Sequence, residues 1–189
     1  MKKLSILIPV HKKHEVLFNS LSAQIMAYAK DLPVQIIKLS NNGEKTIGEF
    51  RQQMIEMVDS PYLCFIDADD RIHQNYFKNV FQGIESGAKG IGFKGQITTD
   101  GRNPLEFIHS MKYNKWSDSL VNGKRVYYRP LNHLNPIMTD IALKIGYTAL
   151  THGEDFSYSN RLVQSDLIQP DEEYFIDDIM YFYLYKTKK

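Results

Sequence analysis

Apolar residues fall along this chain in two alternating rhythms. Short unbroken runs, "LSILIPV" (4–10), "VQIIKL" (34–39) and "PYLCFI" (61–66), have the pattern of strands covered on both faces. Between them the apolar residues recur at helical spacing. In "EVLFNSLSAQIMAYAK" (15–30) the helical stripe is Val16, Leu17, Leu21, Ile25 and Met26. In "TIGEFRQQMIEMVD" (46–59), Thr46 and Glu49 stand at capping-box spacing and mark a helix start. Strand, helix, strand, helix, strand are complete by Ile66, and each crossover is long enough to make the three strands parallel.

Further on, "QNYFKNVFQGIES" (74–86) reads as a helix and "AKGIGFK" (88–94) as a strand. From Gly95 to Pro130 glycines, polar residues and aromatics mix, as in hairpins and long loops. "TDIALKIG" (139–146) predicts a short helix with Thr139 as N-cap and Gly146 as stop. "GEDFSYSNRLVQ" (153–164) predicts another, with Glu154 and Asp155 in its first turn, and "EYFIDDIMYFYLYKT" (173–187) a strand or hairpin. There is no repeat and no linker, so the expectation is one α/β domain over 1–189, its central sheet mostly parallel and flanked by helices.

Ligands of such sheets bind outside the carboxyl ends of the strands. Three strand ends meet there: Pro9-Val10-His11, Ser40-Asn41-Asn42, and Asp67-Ala68-Asp69-Asp70. Two carboxylates one residue apart can share a Mg²⁺ or Mn²⁺ ion with substrate phosphates. They also suit a solvated strand end. Glu154 and Asp155 at a helix start are stabilised by free backbone amides and serve either as capping or as a general base. Arg51 reaches either an anion at the sheet edge or solvent. His11, His133 and His152 are candidate third ligands or hydrogen-bonding structural residues. An Asp-x-Asp-x-Thr/Val phosphotransferase of the haloacid dehalogenase kind does not fit, because the aspartates follow the third strand and Arg71 holds the Thr/Val place.

Composition narrows the compartment. A single cysteine, Cys64, excludes a disulfide framework and a cysteine-built zinc site, which fits a reducing, cytoplasmic setting. The apolar N-terminal run is seven residues long, contains Pro9 and lacks a small-residue cleavage site, so it is read as a strand rather than a leader. No run has membrane-spanning length. Net charge is +1, but between Ser86 and Pro130 eight basic residues face three acidic ones. Phe93, Phe107, Tyr113, Trp116, Tyr127 and Tyr128 are interleaved with them. Aromatic faces suit sugar rings or bases, and clustered cations suit phosphate.

Taken in order, these motifs resemble the family 2 glycosyltransferases of GT-A fold. The resemblance rests on "LSILIPVHKKHEVLFNSLSAQ", "IGEFRQQMIEMVDSPYLCFIDADDRI", "GEDFSYSNRL" and "FIDDIMYFYLYKT", and covers nearly the whole chain. It implies an inverting transfer of sugar from a nucleotide-diphosphate donor, with a UDP-sugar expected, to an acceptor hydroxyl. Residues 1–95 would form the nucleotide-sugar half and 96–189 the acceptor half. Pro9, Val10 and His11 would line the base pocket, with Asn41 beside it and Arg51 near the nucleotide. Asp67 would contact ribose or metal, and Asp69 would bind the Mn²⁺ or Mg²⁺ ion. Asp155 would be the catalytic base, with Glu154 supporting it or binding the acceptor. The chain departs from the family in having Asn41 or Asn42 where many members carry an aspartate, and in having no histidine after His152. A saccharide is the family's usual acceptor. The basic stretch also admits a hydroxylated base of viral DNA, and a sugar- or nucleotide-binding module without catalysis is the reading from another class.

Overall fold

The computed structural model describes residues 1–187. Its centre is β1 (Leu4–Val10), which pairs in parallel with β2 (Val34–Ser40) on one side and β3 (Tyr62–Phe65) on the other. The crossovers are α1 (Glu15–Tyr28) and α2 (Ile47–Ile55). All three strands therefore end at the same edge, as their apolar runs and crossover lengths require. The strand β4 (Arg71–Ile72), the helix α3 (Tyr76–Glu85) and the ten-residue strand β5 (Gly90–Thr99) follow.

The irregular middle resolves into two antiparallel pairings. β5 turns into β6 (Arg102–His109), and β7 (Ser117–Val121) turns into β8 (Lys124–Arg129), which runs parallel to β6. A two-residue strand, β9 (Ile137–Met138), joins β3 to β5. Then come α4 (Thr139–Ile145), α5 (Glu154–Gln164) and a long last strand, β10 (Glu173–Tyr185). β10 is one strand, parallel to β5, with register irregularities around Ile176–Tyr181. The resulting ten-stranded sheet runs β2-β1-β3-β9-β5-β6-β8-β7, with β10 against β5 and β4.

Burial explains the unbroken apolar runs. Ile6, Ile8, Cys64 and Ile66 pack on one face with Leu21 and Ile25 of α1 and Tyr76, Phe77 and Val80 of α3. Leu7, Leu63 and Phe65 pack on the other with Phe50 and Met54 of α2, Ile141 of α4, and Tyr158 and Leu162 of α5. Two local expectations are corrected. Val16 and Met26 are exposed, and the buried stripe of α1 is Leu21 and Ile25, because only one narrow face meets the sheet. Met138, not Thr139, is the N-cap of α4; the Thr139 hydroxyl instead donates to the Ser60 carbonyl at 2.7 Å, tying the helix start to the entry of β3. The capping box of α2 forms as expected, with the Glu49 amide donating to Thr46 Oγ1 and the Thr46 amide to Glu49 Oε2.

β10 is fastened to the loop after β3 by a buried carboxylate. Asp70 is fully buried; its Oδ2 accepts from the Tyr181 hydroxyl at 2.7 Å and its Oδ1 from the Leu184 amide at 2.9 Å. The Tyr181 oxygen in turn accepts the Asp67 amide at 3.2 Å. Burial and the nearby Asp67 push the Asp70 carboxyl well above its ordinary range. Tyr181→Phe strands Asp70 Oδ2 and the Asp67 amide, and its expected cost is about 1–3 kcal/mol, the usual penalty for unsatisfied buried polar groups. Urea denaturation checks it; an unchanged midpoint would show that the clamp does not hold β10.

Candidate active site at the strand ends

The edge where β1, β2 and β3 end opens into a cleft of about 630 Å³. Pro9, Val10, His11, Asn41, Arg51, Asp67 and Asp69 all line it, so the residues singled out on four separate segments come together. Asn42 is not among the lining residues, whereas Lys45, Thr46 and Thr151 are. The Asn41 side chain is committed to its own loop. Its oxygen accepts from the Gly43 and Lys45 amides and its nitrogen donates to the Lys45 carbonyl at 2.9 Å. It shapes the loop wall, a role the turn chemistry of asparagine predicts.

A second cavity, about 430 Å³, lies against the first. Glu154 and Asp155 line it, together with His109, Trp116, Tyr127, Arg129, His133, His152 and Tyr183. Arg51 and Asp67 line both cavities. The Arg51 guanidinium is 4% exposed; Nη2 donates to Asp67 Oδ1 at 3.1 Å, Nε lies 3.3 Å from Glu154 Oε1, and the group sits over the Phe65 ring at 4.8 Å. Burial alone would lower the Arg51 pKa and raise that of Asp67. Their mutual attraction wins: Arg51 is held above its ordinary value, and Asp67, with His133 also beside it, well below the usual carboxylate range.

Local backbone geometry sets this ion pair. Gly48 on the first turn of α2 donates its amide to the Leu150 carbonyl at 3.0 Å, and a Cβ there would fall 1.8 Å from the Thr148 carbonyl oxygen. Only glycine allows α2, and hence Arg51, to lie so close to the segment entering α5. Gly153, with φ 75°, then turns the chain into that helix, placing Glu154 and Asp155 on its first turn. Their carboxylates differ. Glu154 is buried against Arg51, while Asp155 is half-buried, accepts from the Phe156 amide at 2.8 Å and makes no ion pair among the described residues.

The three histidines also part company. His133 Nε2 lies 3.6 Å from Asp67 Oδ2, and both its ring nitrogens are buried without a hydrogen-bond partner. Its loop, residues 130–136, is held by buried asparagines: the Leu134 amide donates to Asn132 Oδ1 and the Asn132 amide to Asn135 Oδ1. His11 lines the first cavity and His152 the second. Among the described residues no group of three or more His, Cys, Asp or Glu converges to hold a metal. Asp69 is half-buried in the first cleft, and its carboxylate has neither ion pair nor hydrogen bond among those residues. That donor set fits a cation which takes one or two carboxylates and fills its remaining positions from a diphosphate and water.

The basic stretch does not form one surface. Lys89 pairs with Glu172 at 2.5 Å, Lys94 with Asp177 at 2.6 Å and Arg125 with Asp118 at 3.3 Å. Lys124 and Arg125 border a different pocket from Glu154 and Asp155. Phe93 and Phe107 are core residues. Trp116 and Tyr127 reach the second cavity, and Trp116 Nε1 donates to Ser159 Oγ of α5 at 2.9 Å. The sequence reading did not single out Arg129 or His109. Only the parallel register of β6 and β8 brings them together, so no local signal in the sequence pairs them.

No protein-family model matches the chain, and no curated protein matches it. Solved structures do. Residues 1–349 of S. aureus TarS in complex with UDP-GlcNAc match at TM-score 0.68 and 13% identity, over 99% of this chain and 60% of that one. The same portion in complex with UDP gives 0.67 and 15%, over 96% and 60%. The fold is GT-A-like. This chain spans 60% of the TarS portion it matches. No helix among the described residues is long and apolar enough to cross a membrane.

Arg51→Met leaves the buried Glu154 and the half-buried Asp67 without their cation. The expected destabilisation is about 3–5 kcal/mol. Asp67→Asn in the same chain should recover part of it, so a double-mutant cycle should show coupling of at least about 1 kcal/mol. Strict additivity in urea denaturation would refute the ion pair.

Proposed function

We propose that the protein is a family 2 glycosyltransferase that moves a sugar from a UDP-sugar to an acceptor hydroxyl, with inversion. The observation that carries this is the pair of cavities sharing Arg51 and Asp67, with the strand-end residues on one side and Glu154 and Asp155 on the other. A two-substrate transfer needs that arrangement, and a binding module for one ligand does not. The likeness of fold to TarS, solved with UDP-GlcNAc and with UDP, supports a nucleotide-sugar donor.

In this reading Pro9, Val10, His11 and Asn41 form the wall against the nucleoside, and Arg51 fixes Asp67 at the floor. Asp69, and Asp67 beside it, would hold Mg²⁺ or Mn²⁺, which when bound supplies Lewis-acid neutralisation of the diphosphate's charge. Asp155 lines the second cavity and makes no ion pair among the described residues, and it would take the acceptor hydroxyl's proton. Glu154 is bound to Arg51 and orients the cluster. The attacking oxygen then displaces the nucleoside diphosphate from the anomeric carbon in one step. The acceptor is a saccharide in our reading, because the second cavity, of about 430 Å³, has the size of a sugar unit and carries aromatic walls at Trp116 and Tyr127. A reducing cytoplasm suits the one cysteine, whose thiol burial pushes up to about 12.

Asp155→Asn keeps size and hydrogen bonding but removes basicity. Transfer from UDP-GlcNAc, read by mass spectrometry over an acceptor panel, should fall by about 10²-fold or more, while calorimetric UDP affinity stays within about twofold. If Glu154→Gln is the inactive variant and Asp155→Asn turns over normally, the roles are reversed. Asp69→Ala should abolish the Mn²⁺-dependent part of UDP binding and leave the unfolding midpoint near that of the parent. Mn²⁺-dependent binding undiminished in that variant would remove Asp69 from the metal site.

A further inference from the structure

The second cavity contains a cation and a hydrogen-bond acceptor that sugar transfer, as described, does not use. Arg129 ends β8, and its guanidinium lies 3.9 Å from the centre of the Trp116 ring and 5.8 Å from that of Tyr127. It is half-buried, and among the described residues it makes no ion pair and no side-chain hydrogen bond. Burial works against its charge, with Asp155 across the cavity opposing that effect. A desolvated guanidinium ordinarily has a carboxylate or phosphate partner, because its planar fork loses much of its hydration without one.

His109 is its register partner on β6. His109 Nδ1 lies 2.9 Å from Asn135 Oδ1. The Asn135 nitrogen donates to the Ile91 carbonyl at 3.0 Å, so its oxygen faces His109 and the Asn132 amide. Nδ1 therefore carries the proton, and Nε2 presents a lone pair. Nε2 is buried without a protein partner in a residue 1% exposed that lines the cavity. Burial, reinforced by Arg129, lowers the His109 pKa to about 3 and keeps the ring neutral. A neutral His109 with its proton on Nδ1 thus offers an acceptor at Nε2, suited to a hydroxyl rather than an anion.

We propose that this cavity is an acceptor subsite for a saccharide unit bearing one anionic group, a carboxylate or a phosphate, which Arg129 binds while His109 Nε2 accepts a hydroxyl of the same unit. The inference deepens the acceptor side of the function proposed above. Trp116 serves it by holding the guanidinium: one face is covered by Arg129, the ring stands perpendicular to Phe156 with centroids 5.3 Å apart, and Nε1 is bound to Ser159. A cavity of about 430 Å³ suits a sugar unit. A single cation without an ion pair among the described residues does not track the repeating phosphates of a nucleic acid, and the pairs to Glu172, Asp177 and Asp118 break up the rest of the basic stretch.

Trp116 is the chain's one tryptophan, so its emission reports on this subsite without a donor or turnover. Glucuronate, glucose 6-phosphate and glucose are titrated into the full chain. The expected result is a saturable change with one or both anionic sugars, at least about tenfold tighter than with glucose, the scale of one hydrogen bond to a charged group. Comparing the two anionic sugars tells carboxylate from phosphate. Arg129→Met keeps an unbranched stem against Trp116 and should lose the anionic advantage. Arg129→Lys keeps the charge without the fork and should retain part of it, and thermal unfolding checks that both variants fold. Equal response to glucose, an advantage that survives Arg129→Met, or a response to a hydroxylated-base oligonucleotide alone would overturn the proposal. UDP binding is measured separately: its failure beside an intact anion response removes the transferase reading and leaves the subsite standing.

Discussion

One buried guanidinium organises this protein. Arg51 stands on α2, yet it pairs with Asp67 at the end of β3 and Glu154 at the start of α5. Each of the three groups is expensive to desolvate alone, and together they are tolerated only because the charges meet within 3.1–3.3 Å. The requirement reaches outward. Gly48 must be glycine for α2 to approach the 148–150 segment, and Gly153 must take a left-handed conformation for α5 to start where Glu154 can turn inward. The pair also lines both cavities, so the constraint that holds the helices in place is the one that sets the first cavity against the second.

The three aspartates after β3 show how one short motif divides its charges. Asp67 is neutralised by Arg51, and Asp70 is buried as the clamp for β10. Asp69 alone is left facing the cleft with no partner among the described residues. Three like charges in four positions are compatible with a folded strand end because only one of them depends on solvent or ligand. The clamp at Asp70 has a further effect. It fixes the loop from below through Tyr181, whose oxygen also takes the Asp67 amide, so Asp67 and Asp69 project from a braced turn.

The parallel core was legible because unbroken apolar runs and capping-box spacing are local signals with few alternatives. The edge at which Pro9, Asn41 and Asp67 meet followed from topology. Other features depend on partners distant in the chain. Which aspartate is buried is decided by Tyr181 and Leu184, over a hundred positions away. Val16 and Met26 belong to the apolar period of α1, but the face that meets the sheet is narrower than that period suggests. His109 and Arg129 become neighbours only through the parallel register of β6 and β8, which are separated in the chain by β7 in a stretch whose sequence pattern is irregular.

Charge counted along the chain misleads for the same reason. The excess of basic residues between Ser86 and Pro130 is real as a sum, but Lys89 and Lys94 find Glu172 and Asp177 near the start of β10, outside that window. What matters at a site is the charge left after such pairing. Among the half-buried charged residues around the two cavities, Asp67 is paired, while Asp69, Asp155 and Arg129 have no ion pair among the described residues. A half-buried charge without a partner is a cost to the fold. Three of them stand here, one in the first cavity and two in the second, and in the function proposed above their partners arrive with the substrates.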